Sequence, residues 1–410
     1  MNRLLDSKRT FICVLLAVLF STGTAQQQPV LQFVESIPEE TVLDNADIPN
    51  APEVWAQMMQ SAQSTLDIEQ FYVSSKTGEA MEAVIGDIVA AAARGVKVRL
   101  IADKKMYRTY PEFVDSLGKT PNIETRLIDF GAIAKGIQHA KFFIVDGGDM
   151  FLGSQNFDWR ALTQIHELGL RIRHAGIIDI YRDVFALDWD LAGAGTNAPA
   201  VTVPRRSYEV PFRVFDGTVD TIVFFPTYSP AGWIPDSALW DEPNMIQLID
   251  RAQSEVYLQF LSYSPKGRGR ETPLALDDAV RRAAARGVRI RLIVADWSKG
   301  TEAVKSLKSL SMLANVEVKF SSIPDCSKGY VPFGRVEHCK FIVADRKTFW
   351  LGTSNAERSY FYSSRNLGII VSHKPMAERL VQIFLKSWFG PYTSPVRDGM
   401  EYPAREHGEK

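Results

Sequence analysis

Two stretches of the chain carry the same succession of apolar runs and helical stripes. Leu66 to Tyr72 is a short run of strand character. Met81, Val84, Ile85, Ile88, Val89 and Ala92 then recur at helical spacing and form one apolar face. Gly95 follows where a left-handed residue stops a helix, and Val96 to Ala102 predicts a second strand. The second stretch repeats this order with Val256 to Leu261, a stripe of Leu276, Ala279, Val280, Ala283 and Ala284, the stop at Gly287, and Val288 to Val294. A strand–helix–strand unit makes its strands parallel through a right-handed crossover. The pattern therefore predicts an α/β fold of two duplicated halves, each a mixed β-sheet covered by helices.

Residue identities support the duplication. "SAQSTLDIEQFYV" from Ser61 matches "RAQSEVYLQFLSY" from Arg251, and "AAARGVKVRLIAD" matches "AAARGVRIRLIVAD". "HAKFFIVD" matches "HCKFIVAD", with His139 aligned to His338 at an offset of 199. Three matches in one order, at slowly growing offsets, describe a repeat with small insertions in its second copy. The expected organisation is a first half over 53–190, a Gly-, Ala- and Pro-rich linker over 191–225, a second half over 226–392 and a loose tail over 393–410. The polar segment 26–52 is expected to wrap the surface as an N-terminal extension.

Residues 1–25 read as a signal peptide. Arg3, Lys8 and Arg9 precede the ten-residue apolar run Phe11 to Phe20, and Gly23 and Ala25 suit cleavage after Ala25. The expected location is exported: periplasmic or secreted, or a lysosomal lumen in a eukaryote. The absence of any Asn-x-Ser/Thr site favours a bacterial exported protein. Cys326 and Cys339 remain after cleavage, and spacing alone leaves their pairing open. The chain is 46% hydrophobic and 23% charged with a net charge of −1. That near-neutral balance excludes broad electrostatic wrapping of nucleic acid or anionic lipid, so an anionic substrate must be held locally.

The chemistry lies in the third matched segment. His139, Lys141, Asp146, Gly153, Ser154 and Asn156 correspond to His338, Lys340, Asp345, Gly352, Thr353 and Asn355, with 17 residues from His to Asn in both copies. Glu167 and Asn366 follow at 28 residues from each histidine. Strand alternation puts His139 with Lys141, and His338 with Lys340, on one face; Asp146 and Asp345 fall on the other and are expected to anchor the strand ends. Cys339 shares that far face. Packing the halves about a pseudo-twofold axis would gather two imidazoles, two ammoniums and two amides in one cleft. That set suits a phosphodiester: the lysines and asparagines stabilise charge on the non-bridging oxygens, one histidine attacks phosphorus, and the other protonates the leaving oxygen and later activates water. No Asp/Glu/His cluster has metal-ligand spacing, so metal independence and no cofactor are expected.

The paired His-x-Lys-x4-Asp segments with their Gly-Ser/Thr-x-Asn continuations resemble the phospholipase D superfamily over roughly residues 50–390. "HAKFFIVD…FLGSQNFDWRALTQIHELG" and "RVEHCKFIVAD…LGTSNAERSYF" resemble the branch that contains the animal lysosomal single-strand 5′-exonucleases. Animal members of that branch often lack the acidic residue of the second motif, which Asp345 retains here. The resemblance implies a two-step mechanism through phosphohistidine, with His139 as nucleophile and His338 as acid/base. It makes Lys141, Lys340, Asn156 and Asn355 phosphate holders, and Glu167 a carboxylate bonded to a catalytic histidine. Ser154 and Thr353 are read as substrate-binding, and Asp146 and Asp345 as structural.

The expected substrate is single-stranded nucleic acid, with phosphatidyl lipids as the alternative and a homodimer as an assembly to test. His166, His174, His373 and His407 have no repeated partner and read as structural. Phe71, Tyr72, Trp159, Tyr263, Tyr360, Phe361 and Tyr362 are candidate stacking platforms. The basic run Lys266 to Arg270 reads as a solvated loop.

Overall fold

The computed structural model describes residues 29–215, 220–265 and 274–408. Residues 1–25, read above as a signal peptide, and the basic run Lys266 to Arg270 lie outside them. The first half forms a mixed sheet in the order Leu31–Ser36, Ile165–Ile172, Asp149–Gly153, Phe142–Val145, Thr65–Gln70, Lys97–Asp103, Ile123–Ile128. The last three strands are parallel and the others antiparallel. The second half repeats this order from Thr221–Ser229 through Asn366–Ser372, Thr348–Gly352, Phe341–Ala344, Glu255–Phe260 and Arg289–Ala295 to Val316–Ser321. The predicted crossover helices are Ala80–Ala93 and Ala275–Ala285, followed by Gly95 and Gly287 at φ +96° and +89°.

Alternation along the strands divides the interior into three layers. Leu66, Ile68, Phe143 and Val145 face an outer core beneath the helices Ala51–Ser61 and Ala80–Ala93. Val256, Leu258, Ile342 and Ala344 face its counterpart in the second half. Phe142, Ile144, Phe341 and Val343 point the other way, into one core shared by both halves and by the helices Ala175–Ala194 and Lys374–Phe389. Phe33 and Phe349 meet across it with ring centroids 5.8 Å apart. This shared core holds the halves in a fixed relation.

Three segment expectations need correction. The N-terminal extension does not simply wrap the surface: Leu31–Ser36 pairs antiparallel with Ile165–Ile172. The stretch 191–225 is not all linker, because Phe212–Phe215 and the first part of Thr221–Ser229 are strands of the second sheet. The tail is not loose throughout: Thr393–Pro395 pairs with Val316–Ser321, and Arg405 meets Asp296 at 2.9 Å. Leu31–Ser36, Thr221–Ser229 and Thr393–Pro395 each gain a partner from a sheet edge remote in sequence, which local composition does not encode. Ser36 opposes Glu167 as Ser229 opposes Asn366, so the duplication begins upstream of the motifs that revealed it.

Candidate active site

The two halves cross at the site. Gln138 bridges in parallel to Arg365; the His139 N–H donates to the Arg365 carbonyl, and the Arg365 N–H to the Ile137 carbonyl, both at 2.9 Å. In the mirrored crossing, Val336–Glu337 pairs with Ile165 and His166, and the His338 N–H donates to the His166 carbonyl at 2.8 Å. Each histidine thus rests on the strand that carries the other half's Glu167 or Asn366.

The side chains cross in the same way. His338 Nδ1 lies 2.8 Å from Glu167 Oε2, and His139 Nδ1 lies 3.0 Å from Asn366 Oδ1. Glu167 therefore serves the second histidine rather than the one in its own half. Asn366 Nδ2 donates to the carbonyls of Tyr360 and Ser364 at 2.8 and 3.2 Å, and its Oδ1 also accepts from Thr353 Oγ1 at 3.0 Å. These bonds aim the amide oxygen at His139. Neutral His139 must then carry its proton on Nδ1, leaving the Nε2 lone pair free. Phe71 and Tyr360 hold the ring edge-to-face at 5.2 and 4.9 Å.

Lys141 and Lys340 are fully buried, and each Nζ donates to the carbonyl of its own motif's histidine, at 2.6 and 2.5 Å. Burial and the neighbouring Lys340 push Lys141 well below the usual lysine range. Burial brings Lys340 down to about 7, opposed by Glu167. Burial also raises Glu167 to about 8, against the pull of Lys340. Both histidines are held well below their usual value by burial and by the two lysines. A bound phosphodiester would supply negative charge that favours the protonated form of every one of these bases.

His139, His338, Asn156 and Asn355 line one cleft of about 660 Å³. Phe71, Tyr72, Tyr110, Trp297, Phe333 and Tyr360 form much of its wall. Tyr72 stacks on Tyr110 at 4.9 Å and donates to Asp158 at 2.6 Å, and Asp158 is in turn gripped by Arg160. Of the aromatic candidates, Phe71, Tyr72 and Tyr360 reach the cleft. Tyr263 is committed to Asp277, Phe361 to the second outer core, Trp159 to a contact with Lys76, and Tyr362 to Trp240. Tyr110, Trp297 and Phe333 escaped the sequence reading because they sit on segments outside the three matched stretches.

Ser154 and Thr353 do not face the cleft, so the substrate-binding reading of both is corrected. Both are fully buried beneath it, and each hydroxyl accepts from the backbone of the neighbouring strand, at Leu168 and Leu367. Their small size lets them back the carboxylate or amide that aims a histidine. Gly153 and Gly352 permit the same close packing: a Cβ on either would approach the facing Gly169 or Gly368 Cα to 2.8 Å.

Asp146 and Asp345 lie away from the cleft, as strand parity requires. Each accepts from three consecutive backbone N–H groups and a serine hydroxyl, at Gln63–Thr65 and Gln253–Glu255. Burial acts to raise both carboxyls, but these donors outweigh it and hold them below the usual range. Cys326 and Cys339 are free thiols, and burial pushes the Cys339 thiol up. Among the described residues, no group of three or more His, Cys, Asp or Glu is placed to share a metal ion, and no helix is long and apolar enough to cross a membrane.

A duplicated scaffold that brings two histidines and two asparagines to one cleft, each histidine with a buried motif lysine, defines the phospholipase D-like class, and the chain belongs to that family. The family description "Cardiolipin synthase, PLD-like domain" matches residues 55–189 and again 245–388. Among curated relatives, "5'-3' exonuclease PLD3" of Rattus norvegicus is 30% identical over 397 residues, covering 88% of this chain and 79% of the relative. "5'-3' exonuclease PLD4" of Homo sapiens is 28% identical over 404 residues, covering 88% and 78%. The solved phosphatidylserine synthase of Haemophilus influenzae Rd KW20 shares the fold, with a TM-score of 0.61 at 12% identity over 84% of this chain and 85% of that one.

Proposed function

We propose that the protein is a metal-independent phosphodiesterase that removes nucleotides from the 5′ end of single-stranded nucleic acid through a phosphohistidine intermediate. The observation that carries this reading is the crossed pairing of His139 with Asn366 and His338 with Glu167 at one aromatic-walled cleft. His139 Nε2 attacks phosphorus, and the bond to the leaving oxygen breaks. His338, with Glu167 stabilising its imidazolium, protonates that oxygen. The neutral His338 then takes a proton from water, whose oxygen attacks phosphorus; the phosphorus–nitrogen bond breaks and His139 is freed. Lys141, Lys340, Asn156 and Asn355 hold the non-bridging oxygens. Both halves come from one chain, so a single copy completes the site.

Three considerations favour a nucleic-acid end over a lipid. Aromatic walls stack bases without regard to sequence. A cleft of about 660 Å³ falls in the range of small-ligand pockets, which suits a chain terminus better than a long wrapped strand. Two of the relatives described above are named as 5′-3′ exonucleases.

The test offers purified protein single-stranded oligonucleotides with free and blocked 5′ ends, and phosphatidyl lipids, each with and without a chelator. Nucleotide release that a 5′ block abolishes and a chelator spares is the expected result. Headgroup release without oligonucleotide cleavage would overturn the substrate assignment in favour of a phospholipase D or transphosphatidylase. Export is part of the same proposal, and N-terminal sequencing of the mature protein tests it: the first residue should be Gln26.

A further inference from the structure

The two crossings that seat the catalytic histidines are related by the repeat, but they are stabilised differently. At the first, Arg365 is fully buried and binds both oxygens of Asp188 at 2.6 and 2.7 Å, with further bonds to the Ser229 and Trp233 carbonyls at 2.7 Å. This permanent cation pins the strand on which His139 rests. Its counterpart at the offset of 199 is His166, which is 1% exposed. His166 Nδ1 lies 3.4 Å from Glu337 Oε2, and neither ring nitrogen has a hydrogen-bond partner among the described residues.

The groups around His166 are unevenly charged. Glu337 faces it from the strand before His338, Glu35 from the N-terminal strand, and Glu167 from its own strand. Asn45 holds Glu35, which also feels Asp44, and Gln259 donates to Glu337. The Cys339 thiol donates to the His166 carbonyl. Lys340 and Lys141 both act on Glu167, and His338 is bonded to it. Glu35, Glu167 and Glu337 are thus three fully buried carboxyls around one buried imidazole. A protonated His166 gives the Glu337 carboxylate a partner at 3.4 Å, and a buried charge without compensation is costly.

We propose that His166 is a positioning residue: as an imidazolium paired with Glu337 it fixes the crossing that seats His338, as Arg365 and Asp188 fix the crossing that seats His139. One catalytic histidine is thereby held by a permanent ion pair and the other by a pair that needs a proton. Burial opposes the charge on His166, but Glu337, Glu35 and Glu167 outweigh it and raise its pKa above the usual value. The sign follows. The stabilisation is fully present below the ordinary histidine pKa and is lost as pH rises through the raised one.

The inference rests on the phosphodiesterase reading and is tested with the full chain, using a chromogenic nucleotide diester as probe. His166→Gln keeps the site polar but cannot carry charge. It is expected to lose at least about tenfold in kcat/KM at about pH 6 and to melt at lower temperature. His166→Gln combined with Glu337→Gln removes one charge of each sign and copies the glutamine found at position 138 of the first half. The double variant should recover most of both losses. The alkaline limb of its kcat/KM profile should lose one proton's dependence relative to the unaltered protein.

A His166→Gln variant indistinguishable from the unaltered protein would overturn the proposal. So would a double variant no better than His166→Gln, or one that keeps the original limb. If the unaltered protein turns over no phosphodiester, the functional reading fails. A thermal cycle over the unaltered protein, His166→Gln, Glu337→Gln and the double variant still measures the His166–Glu337 coupling in that case.

Discussion

Replacing Glu167 by glutamine keeps the length of the side chain and removes the carboxyl, 2.8 Å from His338 Nδ1, that can pair as a carboxylate with the His338 imidazolium. A hydrogen bond to a charged group contributes about 1.5–3 kcal/mol. At about 1.36 kcal/mol per factor of ten, its loss corresponds to a fall in kcat of roughly 10- to 150-fold. Glu167 does not line the cleft, so KM should change little. The pKa of His338 should fall further without the carboxylate. Because His338 must be protonated to donate, the alkaline limb of kcat should move to lower pH. The diagnostic assay compares a diester with a good leaving group against one with an alkoxide leaving group. General-acid help matters most for the alkoxide, so Glu167→Gln should damage that reaction more. Equal damage to both substrates, or none, would refute the assignment of Glu167 to an acid at His338.

Lys340 titrates at about 7 and holds phosphate only when charged, so kcat/KM should decline as pH rises through about 7; a pH series on the free enzyme checks this. Asp345→Ala removes the acceptor of three backbone N–H groups outside the cleft. It should lower stability by about 1–3 kcal/mol in a denaturant titration and leave kcat/KM within a few-fold. Gly352→Ala places a Cβ 2.6 Å from the Leu367 carbonyl and 2.8 Å from the Gly368 Cα. Overpacking there should cost about 1–3 kcal/mol, read as a lower melting temperature, with reduced kcat from the displaced Thr353 and Asn366.

The mixed α/β halves and the candidate His-Lys-Asn residues were legible because the chain states them twice. A lone His139 with Lys141 reads as a structural pair; the same spacing at His338 and Lys340 turns it into half of a site. Parity along the strand separated Asp146 and Asp345 from the chemistry for the same reason. What the sequence hid depends on three-dimensional adjacency. The repeat shows that Glu167 and Asn366 are equivalent, but not that each serves the opposite half's histidine. Tyr110, Trp297 and Phe333 enter the cleft from segments without a repeat signal. His166 looked unremarkable because its counterpart at position 365 is an arginine, and only the shared crossing shows that the two are related. Leu31–Ser36 and Thr393–Pro395 gained strand structure from sheet edges that no local pattern announces.

The most direct test of the account is a map of the covalent intermediate. Full-length protein is mixed with a chromogenic nucleotide diester, quenched in base within one turnover, digested and analysed by mass spectrometry. The account predicts a nucleotidyl adduct, joined through phosphorus, on the peptide that contains His139, accumulating in His338→Ala and missing from His139→Ala. An adduct on His338 in the unaltered protein would contradict it, as would turnover with no adduct in any variant.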